Sequence, residues 1–153
     1  LNSFNNKNIK SNRIIFAKNI PHDEHLERIK HADLFLDTFN YNAHTTCSDT
    51  LWSGVPIVTK TGDQFSSRVA SSLLNSMNLK ELVTTTKNEY EELILNLATN
   101  RDNLNKIKIK IANNLSKSPL FDTKKYTDYF EKALSIAYKN NLKQDNISDI
   151  EIN

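Results

Sequence analysis

The chain has only two glycines among its 153 residues, Gly54 and Gly62, and they are eight positions apart. A Walker loop or a dinucleotide-binding fingerprint needs several glycines within a few residues, so neither loop can be built here. If the chain binds phosphate groups, it must do so with the backbone amides at a helix start and with side-chain hydroxyls.

Cysteine and metal-ligand patterns are equally sparse. Cys47 is the single cysteine, which excludes a disulfide framework within the chain and fits a reducing, cytoplasmic compartment. The four histidines have no partnering cysteine pair and no HExxH spacing. We therefore expect no metal and no other cofactor.

No long hydrophobic run and no excess of one charge are present. The net charge is only +2, with lysines and glutamates interspersed, so nucleic acid is not an expected partner. No apolar run reaches membrane-spanning length and no signal-peptide pattern opens the chain, so a membrane is not expected either. Because the chain starts at Leu1 rather than at methionine, we expect it to be a piece of a longer polypeptide.

Short apolar runs alternate with helical patterns along the chain. The runs predict buried strands at 13–17, 34–36, 56–58 and 82–84. This alternation is typical of right-handed βαβ units, so the predicted fold is α/β, a Rossmann-like three-layer domain with a parallel sheet that ends in long helices. We assign residues 1–12 to a lead-in, 13–141 to this domain and 142–153 to a disordered tail.

Helices are predicted between and after the strands. They begin at His22 or Asp23 (reaching Ala32), at Thr45, and at a cap formed by Ser66 or Ser67. Further helices are expected at 89–98, 104–115 and 123–141. In 104–115 the helix is favoured over an alternating strand, with Ile109 off the apolar face. Trp52 is expected in the core, and the last helix is expected to bury Tyr126, Phe130, Ala133, Leu134 and Ala137.

In parallel sheets, ligands bind beyond the carboxyl ends of the strands, which here are followed by the loops 18–25, 37–46 and 59–68. Thr45 and Thr46 open a helix in one of them, where hydroxyls and unpaired amides would hold a nucleotide diphosphate, or where the threonines merely cap the helix. Asp49 would accept hydrogen bonds from a ribose diol, or is a first-turn carboxylate stabilised by the helix dipole.

Three more side chains are candidates at the same edge. His25 could stack on a planar base while Arg28, three residues later on one helix face, bonds to its carbonyls; both could equally be surface residues. His44 could donate to a ligand oxygen or cap the helix that follows it.

Several separate motifs resemble one enzyme family. Residues 44–59 read HTTCSDTLWSGVPIVT, with DLFLDTF at 33–39 before them and SRVASSLL at 67–74 after them. SPLFDTKKY at 118–126 completes the set. Together, from about residue 13 to 141, they resemble the C-terminal catalytic half of protein O-linked N-acetylglucosamine transferases, especially the bacterial enzymes with tetratricopeptide repeats.

The resemblance implies a two-lobed GT-B glycosyltransferase that binds a uridine diphosphate sugar, UDP-GlcNAc, between its lobes without a metal. By motif position, the base-stacking histidine of the family is His25 and its base-contacting arginine is Arg28. The residue whose backbone holds the uracil is Ile20.

The remaining implied contacts are to the ribose and the diphosphate. Thr45 and Thr46 correspond to the two threonines at the diphosphate, Asp49 to the aspartate at the ribose, and His44 to the residue at the sugar phosphate. At the position of His22 the family often has a lysine, which lies near the ribose. A neutral imidazole is a weaker partner for a diphosphate than the ammonium group of a lysine.

The resemblance also implies parts that this chain lacks. The family's phosphate-binding lysine, its general base, its N-terminal lobe and its repeats all lie upstream, so no catalytic residue is expected here and the segment alone should be inactive. The implied reaction is inverting transfer to Ser/Thr of intracellular acceptor proteins. The alternatives are a relative that uses GDP-fucose, and a non-catalytic domain that binds nucleotides or docks partners.

Overall fold

A parallel sheet with helices packed on it forms the centre of the protein. The computed structural model describes residues 10–142 and 149–152. In these residues three strands lie side by side in the order β1-β2-β3, all parallel, which confirms the predicted fold class. The strands are β1 Phe35–Leu36, β2 Ile57–Lys60 and β3 Val83–Thr84, and the helices are α1 His22–Ile29, α2 Thr45–Trp52, α3 Val69–Ser76, α4 Lys87–Thr99, α5 Arg101–Leu115 and α6 Thr123–Leu142.

The core is built around β2, the middle strand. Ile57 and Val58 are neighbours in this strand, so their side chains point to opposite faces of the sheet, and both are completely buried. Both faces are therefore covered, as expected for a parallel sheet. Leu51 of α2, Leu74 of α3 and Ile111 of α5 are also fully buried and belong to the same cluster.

Helix α2 begins where the sequence predicts and ends one residue before the predicted Ser53. It runs from Thr45 to Trp52, and Gly54 follows with a φ of +78°, a conformation that favours glycine. The amide of Gly54 donates to the carbonyl of Leu51, and the amide of Val55 donates to that of Thr50, both at 3.0 Å. These two bonds form a Schellman motif, which stops the helix and turns the chain toward β2.

The prediction of a strand at 13–17 is wrong. A 3₁₀ turn covers Ser11–Arg13, the following residues have no regular structure, and the Ile15 and Phe16 side chains are 87% and 77% exposed. Strand preference depends on packing against neighbouring strands, and no strand in the described residues pairs with this run. The strand at 34–36 is confirmed as β1, but Leu36 on this sheet edge is half exposed rather than buried.

Several helix boundaries also differ from the prediction, and α4 and α5 begin two and three residues earlier than the predicted 89 and 104. Helix α1 ends at Ile29, so Ala32 lies beyond it and is exposed. Helix α3 begins after Arg68 without a side-chain cap, because Ser67 belongs to a preceding 3₁₀ turn and its hydroxyl donates to the Gln64 carbonyl at 2.9 Å.

Trp52 is not a core residue. Its side chain is 52% exposed, and its ring meets the edge of Phe121 at 5.2 Å between centroids. Cys47 and Leu51 occupy the sheet-facing side of α2 and are fully buried. Trp52, one residue after Leu51, is turned about 100° away from that side around the helix axis.

The long C-terminal helices are present, but only one has the predicted inner face. In α5, Leu104 and Ile111 are buried and Ile109 is 61% exposed, which confirms the helix with Ile109 off the apolar face. In α6 no residue is buried: Ala133 is half-buried and Ala137 is exposed. The large members of the predicted inner face of α6 are likewise exposed, namely Tyr126, Phe130 and Leu134.

The inner face of α6 was predicted wrongly because hydrophobic periodicity alone does not show whether a face is buried. A 3.6-residue repeat identifies an apolar face but does not supply a surface to cover it.

The lead-in expected at 1–12 and the tail expected at 142–153 fall largely outside the described residues. None of the described helices is both long and apolar enough to cross a lipid bilayer.

A capping box fixes the start of α4 and makes a pH-dependent prediction. The Glu89 amide donates to Thr86 Oγ1 at 3.2 Å, and the Glu89 carboxylate accepts from the amides of Thr85 and Thr86 at 2.9 and 3.0 Å. These backbone amides, with the Thr85 hydroxyl, lower the pKa of Glu89 below its ordinary 4.5.

We expect Glu89→Gln to lower the urea midpoint at pH 7 and to lower it less at pH 3. Because the pKa of Glu89 is lower in the folded state, its stabilisation is present above the unfolded pKa and is lost as pH falls through the folded one. Urea unfolding of both proteins at the two pH values measures this. An equal difference at both pH values would show that the charge of Glu89 does not stabilise the cap.

Candidate functional site

An open cavity of about 380 Å³ lies at the carboxyl end of β1, between the loop that follows this strand and the start of α2. This is the sheet edge at which parallel α/β folds bind ligands. Thr45, Thr46 and His44, three of the residues singled out from the sequence, line it together with Asp37, Thr38 and Tyr41.

The start of α2 offers unused hydrogen-bond donors to this cavity. Thr45 and Thr46 are exposed, and no side chain caps the helix. The amides of Cys47 and Ser48 donate to the His44 carbonyl at 3.0 and 3.3 Å, whereas those of Thr45 and Thr46 have no acceptor in the described residues. The threonines are therefore not acting as caps, and two amides and two hydroxyls remain available to an anion.

His44 lies between two aromatic rings. Its imidazole stacks on Tyr41 with centroids 4.7 Å apart and planes 17° apart, and the Phe65 ring meets it edge-on at 6.2 Å. Its Nε2 is buried and has no partner in the described part of the chain, and its side chain does not cap α2. Tyr41 and Phe65, both largely exposed, were not predicted as site residues, because only the fold brings them to His44.

The loop before His44 is held by a buried carboxylate. Asp37 is 4% exposed. Its Oδ1 accepts from the amides of Thr38 at 2.9 Å and Ala43 at 2.7 Å, and its Oδ2 accepts from Thr59 Oγ1 at 2.6 Å. Asp37 was not predicted as a site residue, although a carboxylate directly after an apolar strand and before a polar loop is a usable signal.

Helix α1 contributes a second part of the site. His22 Nε2 lies 3.3 Å from Asp49 Oδ1, which links α1 to the first turns of α2. His22 is 68% exposed and Asp49 only 17%, so the carboxylate is the better fixed of the two groups. Two predicted ribose-side residues are thus brought together by the fold.

His25 and Arg28 form a pair one turn further along α1. The Arg28 guanidinium donates to His25 Nδ1 at 2.8 Å and to the Lys18 carbonyl, also at 2.8 Å. Because arginine cannot accept, this contact leaves the imidazole proton on Nε2. Ile20 lies in the segment between Lys18 and α1, half-buried, so Arg28 ties that segment to the helix. No hydrogen bond within the described residues joins this pair to the threonines of α2.

Cys47, in the first turn of α2, is not a usable nucleophile. Its side chain is fully buried, and burial, with a smaller contribution from the charge of Asp37, raises the pKa of its thiol to about 12. Since the thiolate is the reactive form, the thiol should be inert at physiological pH.

We expect Cys47 to resist alkylation in the folded protein. Iodoacetamide at pH 8 should modify it at least tenfold more slowly in buffer than in 6 M urea, because folding both buries the sulfur and disfavours the thiolate. Mass spectrometry of timed samples measures the rates. Equal rates in buffer and urea would place the thiol at the surface.

Comparison with known proteins agrees with this geometry. Residues 1–130 match the model of glycosyl transferase family 41. A UDP-N-acetylglucosamine–peptide N-acetylglucosaminyltransferase of Caenorhabditis elegans is 36% identical, and the match covers 87% of this chain and 12% of the relative. A probable enzyme of the same name from Arabidopsis thaliana, SEC, is 33% identical, covering 82% and 13%.

A solved structure gives the same result. A mutant of the Thermobaculum terrenum O-GlcNAc transferase superposes with a TM-score of 0.80 at 28% identity, over 87% of this chain and 26% of that one. The chain spans about an eighth of the length of the Caenorhabditis elegans and Arabidopsis thaliana relatives. Its fold is that of the C-terminal, Rossmann-like domain of a GT-B glycosyltransferase. The chain belongs to glycosyl transferase family 41.

Proposed function

We propose that this chain is the donor-binding part of a protein O-glycosyltransferase that transfers N-acetylglucosamine from UDP-GlcNAc to Ser/Thr hydroxyls of cytoplasmic proteins. The observation that carries the proposal is the uncapped start of α2. Two amides and two hydroxyls, of Thr45 and Thr46, lie at a cavity at the ligand-binding edge of the sheet and have no acceptor among the described residues.

In this proposal the diphosphate of the donor binds at that helix start. The first amides and the helix dipole give a positive potential, and the two threonine hydroxyls add hydrogen bonds to phosphate oxygens. The acceptor hydroxyl attacks the anomeric carbon from the face opposite the diphosphate and gives its proton to the general base, which we place outside this chain. The bond from that carbon to the diphosphate oxygen breaks, and the anomeric centre is inverted. Charge then develops on the departing UDP, where the same donors stabilise it without requiring a metal ion.

The remaining candidates fit the nucleoside. Asp49, mostly buried and next to His22, can accept hydrogen bonds from the ribose hydroxyls. His25 can stack on the uracil while Arg28, already tied to Lys18, holds the segment that contains Ile20. Each group meets the part of a nucleotide diphosphate that its chemistry suits.

The names of the relatives support the donor and acceptor class. The matched enzymes are named as transferring N-acetylglucosamine from its UDP derivative to peptide. We place the phosphate-binding lysine, the general base, a second lobe and tetratricopeptide repeats in the remainder of a longer protein, since the chain covers only 12% of the Caenorhabditis elegans relative.

Titration calorimetry with UDP and GDP tests the donor. We expect the folded chain to bind UDP and to bind GDP at least tenfold more weakly. Preference for GDP would favour a GDP-fucose enzyme, and no binding of either nucleotide by the folded chain would overturn donor binding in favour of a docking domain.

A transfer assay tests the proposed division of labour. We expect no transfer of radiolabelled GlcNAc from UDP-GlcNAc to peptide by this chain alone, because the groups proposed for acid–base chemistry are elsewhere. Sustained turnover by the purified chain would contradict that division.

A further inference from the structure

Asp37 occupies the junction of several elements next to the proposed donor site. Its Oδ1 accepts from the amides of Thr38 and Ala43, and its Oδ2 accepts from Thr59 Oγ1 on the central strand. Its own carbonyl accepts from the Tyr90 hydroxyl of α4 at 2.7 Å. One residue thus joins β1, β2, α4 and the loop 38–43.

A buried carboxylate at this place needs a physical reason. Removing a charge from water is costly unless it is paired or hydrogen-bonded, and a negative charge beside an anion site is unfavourable. Three donors compensate the cost here, and none of them belongs to Thr45 or Thr46. The carboxylate therefore leaves the donors of the helix start unused.

The geometry of these bonds closes a loop. Thr38 and Ala43 are its first and last residues, and one oxygen of Asp37 accepts from both of their amides. Ala43 directly precedes His44, the N-cap residue of α2. The closed loop also brings Tyr41 onto the ring of His44. Without the carboxylate, the Ala43 amide loses its acceptor and the entry into α2 is no longer fixed.

We propose that Asp37 is a positioning residue for the donor diphosphate: through the Ala43 amide it fixes His44 and thereby the direction of the donors at Thr45 and Thr46. This inference rests on the proposed function. It assigns to Asp37 an effect on nucleotide affinity that is separate from its effect on stability.

The test compares UDP affinity in the full chain for Asp37→Ala, Asp37→Asn and wild type, by calorimetry well below each melting temperature. We expect Asp37→Ala to weaken UDP binding at least tenfold, since a charge-assisted hydrogen bond is lost. Asparagine should restore part of it, because its amide oxygen accepts from both amides and its NH₂ group donates to Thr59 Oγ1.

Leu104→Ala is the control, because Leu104 is a buried residue of α5 outside this network and its truncation lowers stability without touching the loop. We expect its folded state to bind UDP as wild type does. Wild-type affinity in Asp37→Ala overturns the inference. If Asp37→Ala does not fold, Asp37→Asn decides: about threefold weaker binding supports the inference and unchanged binding overturns it. Absence of UDP binding in wild type would instead overturn the proposed function and this inference with it.

Discussion

Combining Thr46→Val with Asp49→Asn should weaken UDP binding at least a hundredfold while the melting temperature stays within about 2 °C. Thr46→Val removes the proposed hydrogen bond to a phosphate oxygen, and Asp49→Asn removes the negative charge and one of the two acceptor oxygens proposed for the ribose diol. Hydrogen bonds to charged groups contribute about 1.5–3 kcal/mol each. Neither side chain supports the fold strongly, because Thr46 is exposed and the one hydrogen bond of the Asp49 carboxylate within the described residues is to the exposed His22. Calorimetry and thermal unfolding measure the two effects.

A matched double variant on α6 provides the control. Thr127→Val with Asp128→Asn makes the same chemical changes at two exposed positions of a different helix. We expect it to bind UDP as wild type does. Loss of the fold in the Thr46/Asp49 variant would show that these residues are structural, and unchanged UDP affinity would remove them from the donor site.

Leu74→Ala should lower the free energy of unfolding by about 2–5 kcal/mol, because it deletes a fully buried side chain of α3 and leaves a cavity in the core. For a chain of this size, each kcal/mol corresponds to roughly 2–4 °C in melting temperature. Urea unfolding gives the free energy directly.

Leu95→Ala in α4 is the control for this prediction. The side chain of Leu95 is 62% exposed, so the same truncation should change the free energy of unfolding by less than about 0.5 kcal/mol. Equal effects at Leu74 and Leu95 would contradict a core built from α3 and the sheet.

The parts of the fold predicted correctly are those with local physical signals. Helix α2 has hydroxyl residues at its start and Gly54 at its end, and the structure shows the left-handed φ that this glycine provides. The strand at 13–17 and the inner face of α6 failed for the opposite reason. The sequence does show that both segments carry apolar side chains. Most of these side chains are exposed, because no element of the described residues packs over them.

The candidate site shows the same division. The positions of Thr45, Thr46 and Asp49 follow from a helix start after a strand, a pattern that is visible in the sequence. The partnership of His22 with Asp49, 27 residues apart, depends on how α1 packs on α2. The role of Asp37 depends on Thr59 in a neighbouring strand, and no periodicity reports such a contact.

Amide chemical shifts during a UDP titration of the ¹⁵N-labelled chain test the central claim most directly. If the diphosphate binds at the start of α2, the largest shift changes should fall on the amides of Thr45 and Thr46, which have no acceptor in the part of the chain that the structure describes. Little change is expected at Leu95 on the outer face of α4. Saturating shifts confined to another surface, or none at all in the folded chain, would contradict a donor site at this helix.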